Sequence, residues 1–322
     1  MHRNLNLPLA ATVLVLAGCS KPEHSAAERY YLVTSNIKIP YWQAAAQGLE
    51  KAARQMNVRA EMVGPDRWDN KAQLEDLRRV IGQKPAGILV SASDAEMLKP
   101  AINQAIAAGI PVITMDSDAP GSQRLLFIGT NNYQVGVTGA RVLAQRLGGK
   151  GNVAVFTIPA QPNLNERLHG YEDGLATHPG IRITNTIDSK GDAGTAFDEA
   201  SSLIDSKAPI NAFVCLEATA CKEIADVLDR KRVTDKIVIA MDTDQGTLDW
   251  IEKGKIAATI GQRPYTMAYY GLKVLDDLHH HPIQPLSANW SQNPSSPIPA
   301  VIDTGSTLID KSNLSSARQS GS

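Results

Sequence analysis

A set of polar side chains in this sequence recurs at one kind of place, directly after a short apolar run. Ser35 follows Tyr30-Tyr31-Leu32-Val33, and the loop behind it carries Tyr41 and Trp42. Ser91, Ser93 and Asp94 follow Gly87-Ile88-Leu89-Val90, and Asp116, Ser117 and Asp118 follow Val112-Ile113-Thr114-Met115. Further along, Gln161, Asn163 and Asn165, with Glu166 and Arg167, come after the run 153–158. Asp192 follows another run, Glu217 closes 212–216, Asp242 closes 236–241 and Gln262 follows 257–260. Carboxylates accept hydrogen bonds from two neighbouring hydroxyls, and amides both donate and accept. An indole covers the apolar C–H face of a sugar ring. The set therefore suits capture of a neutral polyol rather than bond breaking. No serine sits in a nucleophile elbow, no His-x-x-x-His metal motif occurs, and acids at run ends do not by themselves make a glycosidase. No cofactor is expected. His279-His280-His281 precede Pro282 at the end of a helical pattern, where cations favour the helix dipole; that reading is preferred to a metal site. Asp94 reads as a helix N-cap. Asp116 and Asp242 are the stronger ligand candidates. Trp42 shares a helical face with Ala45 and Leu49, so it has a core reading beside a ligand-stacking one.

The elements that must position these residues follow from periodicity. Strand-like runs lie at 30–35, 60–63, 87–91, 111–116, 125–129, 153–158, 181–186, 212–216, 236–242 and 257–260. Between them, apolar residues at helical spacing mark 41–56, 70–81, 95–108, 134–147, 164–176, 194–206, 219–230, 245–253 and 264–278. Near-continuous apolar strands, each followed by an amphipathic helix, predict an α/β fold of parallel sheets covered on both faces. In such sheets ligands bind beyond the carboxyl ends of the strands, where the polar set stands. The pattern runs twice, giving two α/β units of comparable size. Gly148-Gly149-Lys150-Gly151 lacks phosphate-loop spacing and reads as a turn at a helix end. Residues 282–299, rich in Pro, Ser and Asn, read as a connector; 301–302 is a last short strand, and 312–322 is expected to be a disordered tail.

The chain opens with a positive residue, Arg3, an apolar stretch of about a dozen residues, and small residues before Cys19. The apolar stretch falls short of the ~20 residues that span a bilayer. Residues 1–18 thus read as a secretory signal, and the mature chain of about 300 residues suits two domains. Leu16-Ala17-Gly18-Cys19 resembles a bacterial lipobox, which implies cleavage before Cys19, lipid on its sulfur, and a tether over 19–28. Lipid is then the chain's one membrane contact. Lys and Arg number 32 against 33 Asp and Glu, so no basic excess points to nucleic acid. Cys215 and Cys221 remain; an oxidising compartment permits a disulfide between them, and two separate buried thiols is the alternative.

From Asp242 the sequence resembles the ribose-binding type of periplasmic sugar-binding proteins. Val238-Ile239-Ala240-Met241-Asp242 and Gly254-Lys255-Ile256-Ala257-Ala258-Thr259-Ile260-Gly261-Gln262 carry the resemblance. Ile39-Pro40-Tyr41-Trp42, Gly109 to Asp116, Gly129-Thr130-Asn131-Asn132 and Glu166 to Tyr171 support it in order. It implies two Rossmann-like lobes, 29–129 plus 263–292 and 130–262 plus 293–311, joined by a three-segment hinge. The crossings would fall near 129–132, 262–264 and 290–299. It implies hinge closure on a sugar, a monomer, and delivery to an ABC permease from the periplasm or cell envelope. By position it implies Ser35, Tyr41, Trp42, Asp116, Asn165, Asp192, Glu217, Asp242 and Gln262 as ligand residues, beside Arg167 from the run-end set. The family's ribose pattern has Asn at Ile39, Arg at Ser117, Arg at Asn165 and Asn at Glu217. Two missing arginines and an added acid imply a ligand other than ribose: a different or larger sugar, or one carrying positive charge. A sensor of the same fold that signals to a membrane receptor is the alternative, and an extracellular glycoside-acting enzyme is a third. A repressor of this fold would need a DNA-binding segment for which residues 1–28 have no room.

Overall fold

The computed structural model describes residues 24–320; the expected signal segment, 1–18, and the expected lipidation residue, Cys19, lie outside the described residues. The first half builds β1 (Arg29–Val33), α1 (Pro40–Met56), β2 (Arg59–Val63), α2 (Asn70–Gly82), β3 (Gly87–Val90), α3 (Ala95–Ala107), β4 (Val112–Met115) and β5 (Phe127–Gly129). The second half builds α4 (Asn132–Leu147), β6 (Lys150–Thr157), α5 (Pro162–Leu175), β7 (Gly180–Asp188), α6 (Ala193–Asp205), β8 (Ala212–Cys215), α7 (Ala220–Arg230), β9 (Ile237–Met241), α8 (Gln245–Glu252) and β10 (Ala258–Gly261). The chain then returns to the first lobe with α9 (Pro264–His280) and ends with β11 (Val301–Asp303), β12 (Thr307–Ile309) and α10 (Leu314–Ser320).

The strands form two six-stranded sheets, ordered β11-β5-β4-β3-β1-β2 and β12-β10-β9-β8-β6-β7. All pairings are parallel except β10 with β12. Every residue of β3, β4, β8 and β10 is buried, as helices on both faces require. Each lobe closes over its own apolar core. Among the described residues no helix is long and apolar enough to cross a membrane.

Three differences from the sequence reading matter. The chain passes between the sheets at 130–131, 262–263 and 304–306, so the third crossing is not at 290–299. Val301–Asp303 pairs with β5 of the first lobe, and Thr304 N–H bonds to the Gly129 carbonyl at 2.8 Å, before β12 joins the second sheet. Residues 293–303 therefore do not belong to the second lobe. Composition marks the connector, but the sheet edge that a three-residue strand joins is a tertiary choice. The expected disordered tail contains α10, with Leu314 buried in the second core and Arg318 paired to Asp249 and Glu252 of α8. One apolar anchor among serines reads as a polar tail until its docking site is seen. The expected tether is fixed to α9 over its last residues: His24 Nε2 lies 2.8 Å from Asp276, and Glu28 lies 3.2 Å from His280.

Candidate functional site

The carboxyl ends of the two sheets meet across one cavity. Tyr41, Trp42, Trp68 and Asp116 line it from the first lobe. Gln161, Asn163, Arg167, Glu217 and Asp242 line it from the second, and Gln262 stands at a crossing. Asp116 and Asp242 occupy equivalent places, one after β4 and the other after β9. Each holds the left-handed backbone, with φ of 67° and 66°. Aspartate tolerates that region better than most side chains, because its short polar group bonds locally. Their N–H groups still bond along the sheet, to Ile128 and Ile260 carbonyls at 3.1 and 3.0 Å. The strand thus stays paired while the backbone turns out of the extended alternation at the acid. Such turns persist at sites where the surrounding fold over-determines them.

Asp116 accepts from the Tyr41 hydroxyl at 2.5 Å and the Ser91 hydroxyl at 3.2 Å. Burial raises its carboxyl above the usual range, against the opposing pull of Arg167 and those two hydroxyls. Burial also pushes Asp242 up, to about 7, although Arg167 and the Gln262 amide favour its charge; Asp116 adds to the rise. Burial, then the fields of Asp116 and Asp242, hold the Tyr41 hydroxyl well above its ordinary value, so it stays a donor.

Arg167 is the single cation among the described residues that line the cavity and is 1 % exposed. Its Nε donates to Asn132 at 2.9 Å, one Nη to the Leu216 carbonyl at 2.6 Å and the other to Gln262 at 2.8 Å. Gln262 in turn donates to Asp242 at 3.1 Å. The fork is thus fixed by the second lobe and the crossing segments beside it, which take up three of its five N–H groups. Close approach of α4 and α5 places it. A Cβ on Gly136 would lie 2.1 Å from the Arg167 carbonyl oxygen, and one on Gly170 would lie 2.2 Å from that of Tyr133. Only glycine permits that contact.

Not every expected ligand residue faces the cavity. Ser35 is buried at the end of β1, and its neighbour Asn36 lines the wall instead. Asn165 is exposed and donates to the Pro159 carbonyl at 2.9 Å. α5 begins at Pro162, so Asn163 points inward, and two helical steps (about 200°) carry Asn165 to the other side. Asn163 Oδ1 is buried without a protein partner. Asp192 is exposed and caps α6 by accepting from the Thr195 N–H at 2.7 Å, which lowers its carboxyl. Glu217 lines the cavity, but its oxygens already accept from the Thr219 and Ala220 N–H groups and the Ser189 hydroxyl. Asp94 caps α3. Trp42 is 4 % exposed, belonging to the core and to the cavity wall at once. Trp68, absent from the sequence-based set, comes from the loop before α2. It packs on the second lobe's core and lies against Gly191, where an added Cβ would be 3.5 Å from its own Cβ. Cys215 and Cys221 form a disulfide, Cα–Cα 5.7 Å, bracketing the turn that carries Glu217.

The arrangement offers buried acceptors from both lobes, one fixed fork of donors and aromatic walls. The guanidinium already supplies positive charge between Asp116 and Asp242, so the set does not call for a metal ion. A ligand bridging it would hold the lobes together.

Known proteins share this plan. The chain is similar to the ribose import binding protein RbsB of Bacillus subtilis, 21% identical over 87% of this chain and 94% of that protein. Its structure resembles that of AraP, an arabinose binding protein from Geobacillus stearothermophilus, with TM-score 0.74 and 34% identity over 90% of this chain and 98% of that one. It also resembles the XylFII–LytSN complex, with TM-score 0.79 and 25% identity over 88% of this chain and 98% of that one. The first two are named as binding proteins and not as enzymes. A model described as a periplasmic binding protein domain matches residues 30–280, and the chain belongs to that family.

Proposed function

We propose that this protein captures a monosaccharide outside the cytoplasm and delivers it to an ABC permease. One observation carries the reading: Asp116 and Asp242, buried and presented from opposite lobes, flank the fixed Arg167 beside Trp42 in a single cavity. Sugar hydroxyls would donate to the carboxylates and accept from the guanidinium, while the ring's C–H face lies on the indole. Because both lobes contribute, the ligand stabilises the closed arrangement over the open one. The family, the signal-like first 18 residues and the lipobox-like ending at Cys19 support a lipid-tethered, monomeric protein of the periplasm or cell envelope. Wild-type protein melted with a panel of pentoses, hexoses and polyols tests the capture step. A ligand at 100 times its Kd adds ~2.7 kcal/mol. A flat panel overturns the reading.

The likeness to a complex containing LytSN favours a second reading, in which the closed form is presented to another protein rather than to a permease. Uptake of the labelled sugar in cells lacking this protein separates the two. Import falls in the first case and is unchanged in the second.

A further inference from the structure

Away from the cavity, two histidines and two carboxylates converge where the described chain begins. His24 and Glu28 lie on the segment before β1, and Asp276 and His280 lie one helical turn apart on α9, sharing a face. His24 Nε2 is 2.8 Å from one Asp276 oxygen, and His280 Nε2 is 3.7 Å from the other and 3.2 Å from Glu28. The ligand atoms of His24, Asp276 and His280 all fall within 4.8 Å of one another. None of the four side chains is freely exposed: 27%, 16%, 6% and 21% of their surfaces reach solvent, in chain order. We propose that His24, Asp276 and His280, with Glu28 beside His280, form a binding site for a divalent cation of the zinc class.

The chemistry points to that class. Tetrahedral zinc with bonds of about 2.0–2.2 Å sets its ligand atoms roughly 3.4 Å apart, inside the 4.8 Å within which those of His24, Asp276 and His280 lie. Two imidazoles and two carboxylates suit zinc, whereas calcium and magnesium take oxygen cages. Two carboxylates also balance a 2+ charge with neutral rings. The Tyr30 hydroxyl donates to Asp276 at 2.9 Å, the outer contact that orients a ligating carboxylate. The bound cation would clamp the first described residues onto α9 of the first lobe. None of the four side chains lines the sugar cavity, so the site acts independently of it.

Calorimetric titration of zinc chloride into tag-free, chelator-stripped mature protein tests this. One equivalent of zinc should bind and raise the melting temperature, and magnesium should do neither. His24→Ala, on the segment before β1, and His280→Ala should each weaken zinc binding at least tenfold while leaving sugar-induced stabilisation intact. His281→Ala should leave zinc binding unchanged. The proposal is overturned if no stoichiometric zinc uptake occurs, if magnesium binds equally well, or if uptake survives both histidine variants.

Discussion

Asp242→Asn should make the ligand-free protein more stable and a poorer binder. The folded chain holds Asp242's proton up to about pH 7, against 3.8 for an ordinary aspartate, because burial disfavours the charge. A group that binds its proton more tightly when folded contributes stability below its unfolded value, and that contribution is lost as pH rises through the folded one. Wild-type stability should therefore decline between about pH 4 and pH 7. At about 1.36 kcal/mol per pH unit, the rise corresponds to a ceiling of ~4 kcal/mol. Asparagine keeps an oxygen for the Gln262 amide, carries no charge, and relieves the repulsion that Asp242 shares with Asp116. Urea unfolding of both apo proteins from pH 4 to pH 8 measures the effect. The curves should meet near pH 4, and the variant should be the more stable above pH 7. Sugar affinity should fall about 10- to 100-fold at pH 8, the loss expected of a hydrogen bond to a charged acceptor. Parallel pH profiles, or a variant less stable than wild type at pH 8, would refute the electrostatic argument.

Other perturbations probe separate parts of the account. Trp68→Ala removes a half-buried indole that lines the cavity and packs on the second lobe's core, so ligand affinity should drop roughly five- to thirtyfold (about 1–2 kcal/mol of apolar burial). Calorimetry showing wild-type affinity would remove Trp68 from the closed state. Asn163→Ala deletes a buried acceptor at the cavity wall that has no protein partner. Its apo stability should hold or rise by up to ~1 kcal/mol while affinity falls about tenfold; a stability loss without an affinity loss would contradict that role. Replacing both Cys215 and Cys221 by Ala should cost about 2 kcal/mol, given the short loop they close. Unfolding midpoints that are the same with and without a reductant would argue against the bond.

Much of the fold can be read from the sequence because parallel strands buried on both faces are written as apolar runs. The acids that end them are visible for the same reason. Asp116 and Asp242 stand out as charges placed directly after Val112–Met115 and Ile237–Met241. What escaped depends on direction or on distant partners. Asn163 and Asn165 differ by two helical steps, and only the start of α5 at Pro162 separates them; proline as an N1 signal could have done so. Asp192 follows an apolar run as Asp242 does, but the N–H of Thr195 claims it as a cap. Trp68 sits in a charged loop, and its burial comes from the other lobe. The strand at Val301–Asp303 is too short to declare its sheet, and His24 meets Asp276 only because the lobe folds.

The most direct test is a crystal structure with the monosaccharide that most raises the melting temperature. The ring should lie between the lobes, its hydroxyls on Asp116, Asp242 and Arg167 and its C–H face on Trp42. A sugar bound elsewhere, or a cleft holding only solvent at saturating sugar, would contradict the central claim.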